Sequence, residues 1–189
     1  MIADFRKPLG VVLSGGGALG AWQAGCLDAL TRGGLEFDKV LGFSAGALSG
    51  AAYFLSRFDE LLHRWRNVDQ GRILRLAPRL SPFSLFSNTG LWEAVHHANA
   101  HAPAQHDARG ELIVVSLCLE NRMPVYSRFT PKGQNGWDGP LAARLVASCS
   151  IPQIFPPVRI EEKEGTRTYV DGGVDGKEWI HCKSLEGCR

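Results

Sequence analysis

A serine between two glycines has the setting in this chain that points most clearly to chemistry. Residues 40–46 read VLGFSAG, an apolar strand that leads into a G-x-S-x-G pattern around Ser44. A serine at a sharp turn from strand to helix projects its hydroxyl away from the backbone, and flanking glycines leave room for the neighbouring chain. The residues after Ser44 would begin a helix, so their backbone N–H groups would point toward incoming negative charge. The pattern predicts a serine nucleophile, with a turn capped by a serine as the alternative.

Two other segments could complete such a site. Residues 11–20 read VVLSGGGALG, and their three consecutive glycines leave a row of unshielded backbone N–H groups that could bind an oxyanion. Residues 168–173 read TYVDGG, a short strand that delivers Asp171 into a glycine turn. An aspartate at the carboxyl end of a strand lies where open α/β sheets place their chemistry.

In the order glycine loop, G-x-S-x-G and D-G-G, these segments resemble the patatin-like phospholipase family over roughly residues 8–175. Residues 147–158, ASCSIPQIFPPV, are similar to the family's helix-to-strand block ahead of the aspartate and make a fourth match. The resemblance implies a Ser–Asp dyad with Ser44 as nucleophile and Asp171 as the base that activates it. It also implies that the oxyanion-hole N–H groups come from Gly15, Gly16 and Gly17.

The chain departs from the family pattern at two places. Leu19 stands where bacterial relatives commonly carry a basic residue, so we expect weaker stabilisation of an oxyanion. After Val174 the sequence no longer follows the family, which usually continues into an Asn-Pro segment. We therefore predict a patatin-like acyl hydrolase domain over residues 1–175 and a divergent or truncated tail over residues 176–189.

The predicted function is a serine acyl hydrolase, a lipase, esterase or phospholipase that cleaves carboxylic esters of lipids through an acyl-enzyme. Neither a cofactor nor a metal is needed for this chemistry. After Asp171 the chain has one histidine, His181, whose spacing would allow it to fold back toward Ser44. Because His181 lies in the charged tail with no strand or glycine turn to hold its ring, a dyad is favoured over a Ser–Asp–His triad.

Two alternatives to a hydrolase remain open. The pattern Gly15-x-Gly17-x-x-Gly20 after a strand also matches a dinucleotide-binding fingerprint, with an acidic residue at position 36 or 38 as the ribose ligand. That interpretation leaves Ser44 and Asp171 without a role. The second alternative is a catalytically impaired lipid-binding domain.

Strands and helices alternate along the chain, with a strand over residues 8–14, a helix over 18–31, a strand over 39–43 and a helix of small residues over 45–56. The apolar stripe of the first helix comprises Leu19, Trp22, Cys26 and Leu30. Residues 111–129 predict an antiparallel strand pair, so the sheet is mixed. The element order predicts a single α/β domain with a mixed, mostly parallel sheet flanked by helices, as in a patatin-like three-layer sandwich.

Residues 71–86 combine arginines with apolar residues and are interrupted by Pro78 and Pro82. Such a segment could lie against an anionic lipid surface and cover an acyl pocket. Because the prolines prevent one long amphipathic helix, we favour a surface loop anchored by its apolar residues, with peripheral membrane contact as the alternative.

Composition narrows the class of protein further. The chain has 189 residues, of which 44% are hydrophobic, and a formal net charge of +2. This length suits one domain, and the small net charge argues against a nucleic-acid-binding protein. No apolar stretch reaches the ~18–20 residues of a membrane span, and the first residues lack a signal-peptide core, so we expect a cytoplasmic protein. Its oligomeric state is not predicted.

Histidines cluster near position 100. His97 and His101 would share a helix face and could supply two metal ligands. Because no third ligand with matching spacing lies nearby, the sequence favours a solvated helix end over a metal site.

Overall fold

Strands and helices alternate through the part of the chain that the structure, a computed structural model, describes: residues 7–67, 70–97, 108–131, 137–175 and 185–188. The strands in these ranges are β1 Gly10–Leu13, β2 Lys39–Gly42, β3 Arg75–Leu80, β4 Phe83–Ser87, β5 Glu111–Cys118, β6 Met123–Phe129, β7 Val158–Glu162 and β8 Gly165–Asp171. The helices are α1 Gly20–Arg32, α2 Ala45–Phe54, α3 Phe58–Arg66, α4 Gln70–Ile73, α5 Thr89–His97 and α6 Leu141–Ser148. Within the same ranges, no helix is long and apolar enough to cross a membrane.

Six strands form the central sheet. β1, β2 and β5 are parallel, β6 pairs with β5 in the antiparallel direction, and β8 lies antiparallel to both β5 and β7. α2 packs against β2 and β5, and α6 packs against β5 and β8. The predicted fold class, a single α/β domain with a mixed sheet flanked by helices, is confirmed.

Side chains along β2 and β5 alternate between two buried clusters, as the two-residue period of a strand requires. Val40, Leu112 and Val114 belong to the larger cluster beneath the helices, whereas Leu41 and Ile113 belong to a smaller cluster on the opposite face. Near the end of the chain, Leu185 packs against that smaller cluster.

β2 and β8 meet end to end along one edge of β5. β6 pairs with β5 from Leu112 to Cys118 and therefore occupies the other edge over that whole length. β2 pairs with β5 up to Val114, whereas β8 runs in the opposite direction and its pairing with β5 ends at Ser116, opposite Asp171. The carboxyl ends of β2 and β8 therefore point at each other across a short gap.

The first helix turns a different face to the core from the one that its apolar stripe indicates. Leu19 and Trp22 are 71% and 74% exposed, whereas Gly20, Ala24 and Leu27 are buried. The physical reason is the close approach of α1 to α2: a Cβ atom added at Gly20 would lie 2.8 Å from the Cβ of Ala45. Only small residues permit this spacing, so the larger side chains face away from α2.

Residues 75–87 form a β-hairpin, so the expected surface loop is wrong. β3 and β4 pair as a separate two-stranded antiparallel sheet that follows the short helix α4. The prolines prevent a long helix, as expected, but Pro78 lies in strand β3, where a missing N–H is tolerated at an edge.

Candidate active site

Ser44 occupies a strained backbone conformation at the turn between β2 and α2. Its φ is 53° and its ψ is −131°, a combination that costs a non-glycine residue on the order of 1–3 kcal/mol. The N–H of Ser44 donates to the backbone oxygen of Ser148 at 3.1 Å and to the hydroxyl of Ser148 at 3.0 Å. These contacts hold the strained turn that the G-x-S-x-G pattern predicts.

The two glycines of this turn are required by packing. A Cβ atom at Gly46 would lie 2.0 Å from the carbonyl oxygen of Leu13, and one at Gly42 would lie 2.5 Å from the carbonyl oxygen of Gly46. Both distances are far below van der Waals contact. Glycine at these two positions therefore allows α2 to start directly against the carboxyl end of β1.

Asp171 is the last residue of β8 and is 4% exposed. Its Oδ1 accepts the N–H of Gly173 at 2.8 Å. Its Oδ2 is buried and forms no hydrogen bond with any described residue. Burial raises the pKa of Asp171, whereas the N–H of Gly173 and the hydroxyl of Ser44 lower it, and the net shift is upward. The Ser44 hydroxyl is therefore close enough to Asp171 to act on its charge.

The last residue of α6 and the segment that follows it connect the two candidate residues, and sequence reasoning did not find their part in the site. The Ser148 hydroxyl donates to the carbonyl oxygen of Val115 at 2.6 Å while it accepts the N–H of Ser44. Two residues later, the carbonyl oxygen of Ser150 accepts the N–H of Asp171 at 3.0 Å. The block ASCSIP was the available signal, because a buried serine in such a block needs a hydrogen-bond partner.

The glycine loop after β1 lies against Ser44. A Cβ atom at Gly15 would be 3.0 Å from the Cβ of Ser44, and Gly16 and Gly17 have φ values of 153° and 55°. In the described part of the chain, the N–H groups of Gly15 and Gly16 form no hydrogen bond. Three separate segments therefore bring the predicted residues together: a hydroxyl, a carboxyl and unpaired N–H donors.

The acidic residues of the dinucleotide alternative, at positions 36 and 38, lie at the amino ends of β1 and β2, opposite to the end where the glycine loop lies. Asp38 precedes β2, and its Oδ2 accepts the N–H of Leu9 at 2.8 Å, at the amino end of β1. Glu36 forms an ion pair with Lys7 at 3.0 Å. Since the glycine loop follows the carboxyl end of β1, neither carboxylate can reach a ribose bound at that loop.

No group of three histidine, cysteine, aspartate or glutamate residues in the described ranges could hold a metal ion. His101 of the histidine cluster and His181 lie outside the described residues. The same is true of residues 176–184, so the boundary of the divergent tail stays a prediction.

Fold and site together define an α/β protein with a serine in a strained turn between a strand and a helix. The model of the patatin-like phospholipase family matches residues 11–175, and the chain belongs to that family. The resemblance inferred from the four sequence blocks is confirmed.

Several proteins of known sequence are similar to this chain. The uncharacterised protein YqhO of Bacillus subtilis is 28% identical over 181 residues, which cover 86% of this chain and 62% of that protein. An uncharacterised NTE family protein of Mycobacterium tuberculosis (strain H37Rv) is 28% identical over 165 residues, covering 87% of this chain and 42% of the relative. The chain thus spans only about half the length of these relatives. Neuropathy target esterase sws of Drosophila willistoni is 33% identical over 93 residues, 47% of this chain and 6% of that protein.

Among solved structures, VipD from Legionella pneumophila aligns with a TM-score of 0.59 at 15% identity, covering 89% of this chain and 46% of VipD. At this identity the likeness shows a shared fold.

Proposed function

We propose that this chain is a serine acyl hydrolase that cleaves carboxylic esters of lipids through a Ser44–Asp171 dyad. The observation that carries the proposal is the end-to-end meeting of β2 and β8, which brings a strained serine and a buried carboxyl together. The Ser44 hydroxyl lowers the pKa of Asp171, which supports the proximity of the two groups. Membership in the patatin-like phospholipase family supports a lipid ester as substrate.

In the proposed reaction, Oγ of Ser44 attacks the ester carbonyl carbon while its proton passes to Asp171. The N–H groups of Gly15, Gly16 and Gly17 stabilise the resulting oxyanion. The bond to the leaving alcohol breaks as Asp171 returns the proton to the alcohol oxygen, and an acyl-enzyme remains. Water then attacks the acyl group and gives a proton to Asp171, which passes it to Oγ as the fatty acid leaves.

The environment of Asp171 suits the role of a base. An ordinary aspartate carboxylate is a weak base toward a serine hydroxyl. Burial raises the pKa of Asp171 and so brings its basicity closer to what proton transfer requires. An Oδ2 atom without another partner in the described residues leaves one carboxylate oxygen available for the Ser44 proton.

The test is labelling with a fluorophosphonate together with hydrolysis of p-nitrophenyl esters. Ser44→Ala should remove both labelling and turnover, with a loss of about 10³-fold or more in kcat, because no other atom can form the acyl-enzyme. Ser49→Ala is the matched control, since Ser49 lies in α2, the helix that begins directly after Ser44, and its buried hydroxyl donates to the carbonyl oxygen of Ala45. Labelling that persists in Ser44→Ala would refute the assignment.

Two further variants separate the dyad from a triad. Asp171→Asn should lose nearly all turnover, whereas His181→Ala should keep most of it. Loss of turnover in a folded His181→Ala protein would move the chain to the Ser–Asp–His class. A folded wild-type protein that binds lipid but neither reacts with fluorophosphonate nor hydrolyses any ester would instead be the impaired lipid-binding domain.

A further inference from the structure

The hairpin formed by β3 and β4 is attached firmly along one side. In β4, the N–H groups of Leu85 and Phe86 donate to the carbonyl oxygens of Gln153 and Ile154, both at 2.9 Å. Ser84, directly before Leu85, is completely buried. At the base of the hairpin, Arg75 forms two hydrogen bonds to the carboxylate of Glu93 on α5, at 2.8 and 2.6 Å. The hairpin is therefore a built part of the fold.

This attachment places the hairpin next to the proposed catalytic residues. Residues 153–154, which bind β4, lie only a few residues after the end of α6. Just before them in the chain, Ser148 and Ser150 accept the N–H groups of Ser44 and Asp171. A surface bound to the hairpin is consequently held beside the active site.

The free end of the hairpin exposes large apolar side chains. Leu80 and Phe83 face each other across the turn and are 95% and 53% exposed, and Leu76 on the same strand as Leu80 is 73% exposed. Single exposed apolar residues are common, but three large ones within one short hairpin indicate an interaction site.

The positive charge of the hairpin indicates which kind of surface it would bind. Residues 70–87 contain three arginines and no acidic residue. Arg75 is already paired with Glu93, whereas Arg79, directly before Leu80, forms no ion pair with any described residue. A basic side chain beside exposed apolar ones complements a membrane surface, where anionic headgroups lie above the acyl chains.

A second copy of the chain or a partner strand fits this element less well. Since β4 is bound to residues 153–154, β3 is the open edge of the hairpin, and Pro78 removes one of its backbone donors. Proline and an unpaired charge on an edge strand oppose strand-to-strand association.

We propose that the hairpin, through the exposed residues Leu76, Arg79, Leu80 and Phe83, docks on bilayers that contain anionic lipid and so holds the active site against its substrate. This inference rests on the proposed lipid hydrolase function and adds how the enzyme reaches a substrate in a membrane. Docking itself needs no turnover, so it can be measured in the Ser44→Ala protein.

The experiment is cosedimentation of the full chain, carrying Ser44→Ala, with phosphatidylcholine vesicles with and without phosphatidylglycerol. We expect binding to the vesicles that contain phosphatidylglycerol. Leu80→Asp with Phe83→Asp should weaken that binding by about tenfold or more, and Arg79→Gln by about fivefold. Leu30→Asp is the matched control, because Leu30 is an exposed leucine outside the hairpin: it lies near the carboxyl end of α1 and is 41% exposed.

Parallel assays keep the two proposals separate. With wild-type Ser44, the hairpin variants should hydrolyse a short, soluble p-nitrophenyl ester at the same rate as the parent protein. If the chain is not a hydrolase, neither the parent nor the variants will hydrolyse this ester. Equal vesicle binding by the hairpin variants and Leu30→Asp would overturn the docking proposal. Absence of vesicle binding in the parent protein would overturn it as well, and so would a dimer that the hairpin substitutions dissociate.

Discussion

At the scale of the residue, the carboxyl group of Asp171 combines a proposed role in the reaction with a cost to folding. The side chain is almost completely buried and faces a serine hydroxyl and one N–H group instead of a cation. Its raised pKa means that the folded state disfavours the carboxylate relative to the unfolded chain. A residue selected for stability alone would carry no charge there.

Asp171→Asn should therefore stabilise the protein while it removes activity. A raised pKa gives stability that is present below the ordinary aspartate value of about 3.9 and is lost as the pH rises through the folded pKa. At neutral pH the variant should show the higher free energy of unfolding, and below pH ~4 the difference should vanish. Urea denaturation at several pH values measures it.

Asp59→Asn provides the comparison, because the side chain of Asp59 is 97% exposed. Its effect on the free energy of unfolding should stay within about 0.5 kcal/mol at neutral pH. A lower stability of Asp171→Asn than of the wild type at neutral pH would contradict the account of a destabilising buried carboxylate.

At the scale of the element, α2 depends on glycine to start where it does. The added Cβ at Gly46 would overlap the carbonyl oxygen of Leu13, which belongs to the backbone of β1 and cannot turn aside. The turn that displays Ser44 is thus a consequence of two backbones packed at the closest distance that the chain allows.

Gly46→Ala should destabilise the fold by more than about 4 kcal/mol or prevent folding, because β1 and α2 would have to separate. Gly25→Ala should instead stabilise it by about 0.5–1 kcal/mol, since Gly25 lies in the middle of α1 with nothing within 4 Å of an added Cβ. Thermal unfolding of the two variants gives the comparison. Similar stabilities would show that the turn can relax around a methyl group.

At the scale of the whole molecule, the site is assembled by the order of strands around β5. The parallel strands β1 and β2 supply the glycine loop and Ser44, and the antiparallel strand β8 brings Asp171 from the opposite direction. The proposed chemistry uses groups of the chain itself and needs no electrophilic metal.

Turnover should accordingly be insensitive to EDTA and to added calcium, because in the proposed mechanism the N–H groups of Gly15, Gly16 and Gly17 stabilise the oxyanion. Rates with a p-nitrophenyl ester before and after chelation provide the measurement, and untreated protein in the same buffer is the reference. A calcium requirement would replace the dyad with a metal-assisted mechanism.

Sequence alone was sufficient for the parts of this protein that depend on short-range sterics. The glycines around Ser44, the strands that precede the glycine loop and Ser44, and the mixed α/β architecture could all be inferred from residue type and spacing. Gly42 and Gly46 act over a few ångströms within one turn, so their spacing already implies the conformation. Family resemblance then followed from four such blocks in order.

Only the tertiary structure decided which surfaces meet. An apolar stripe on α1 predicted one face, but the fit against small residues of α2 buried Gly20, Ala24 and Leu27 and left Leu19 and Trp22 exposed. Likewise, residue spacing does not reveal that β4 attaches to residues 153–154 or that Ser148 accepts the N–H of Ser44, because these partners lie far apart along the chain. Local sterics set conformation within a turn, whereas burial depends on the shape of whatever packs against it.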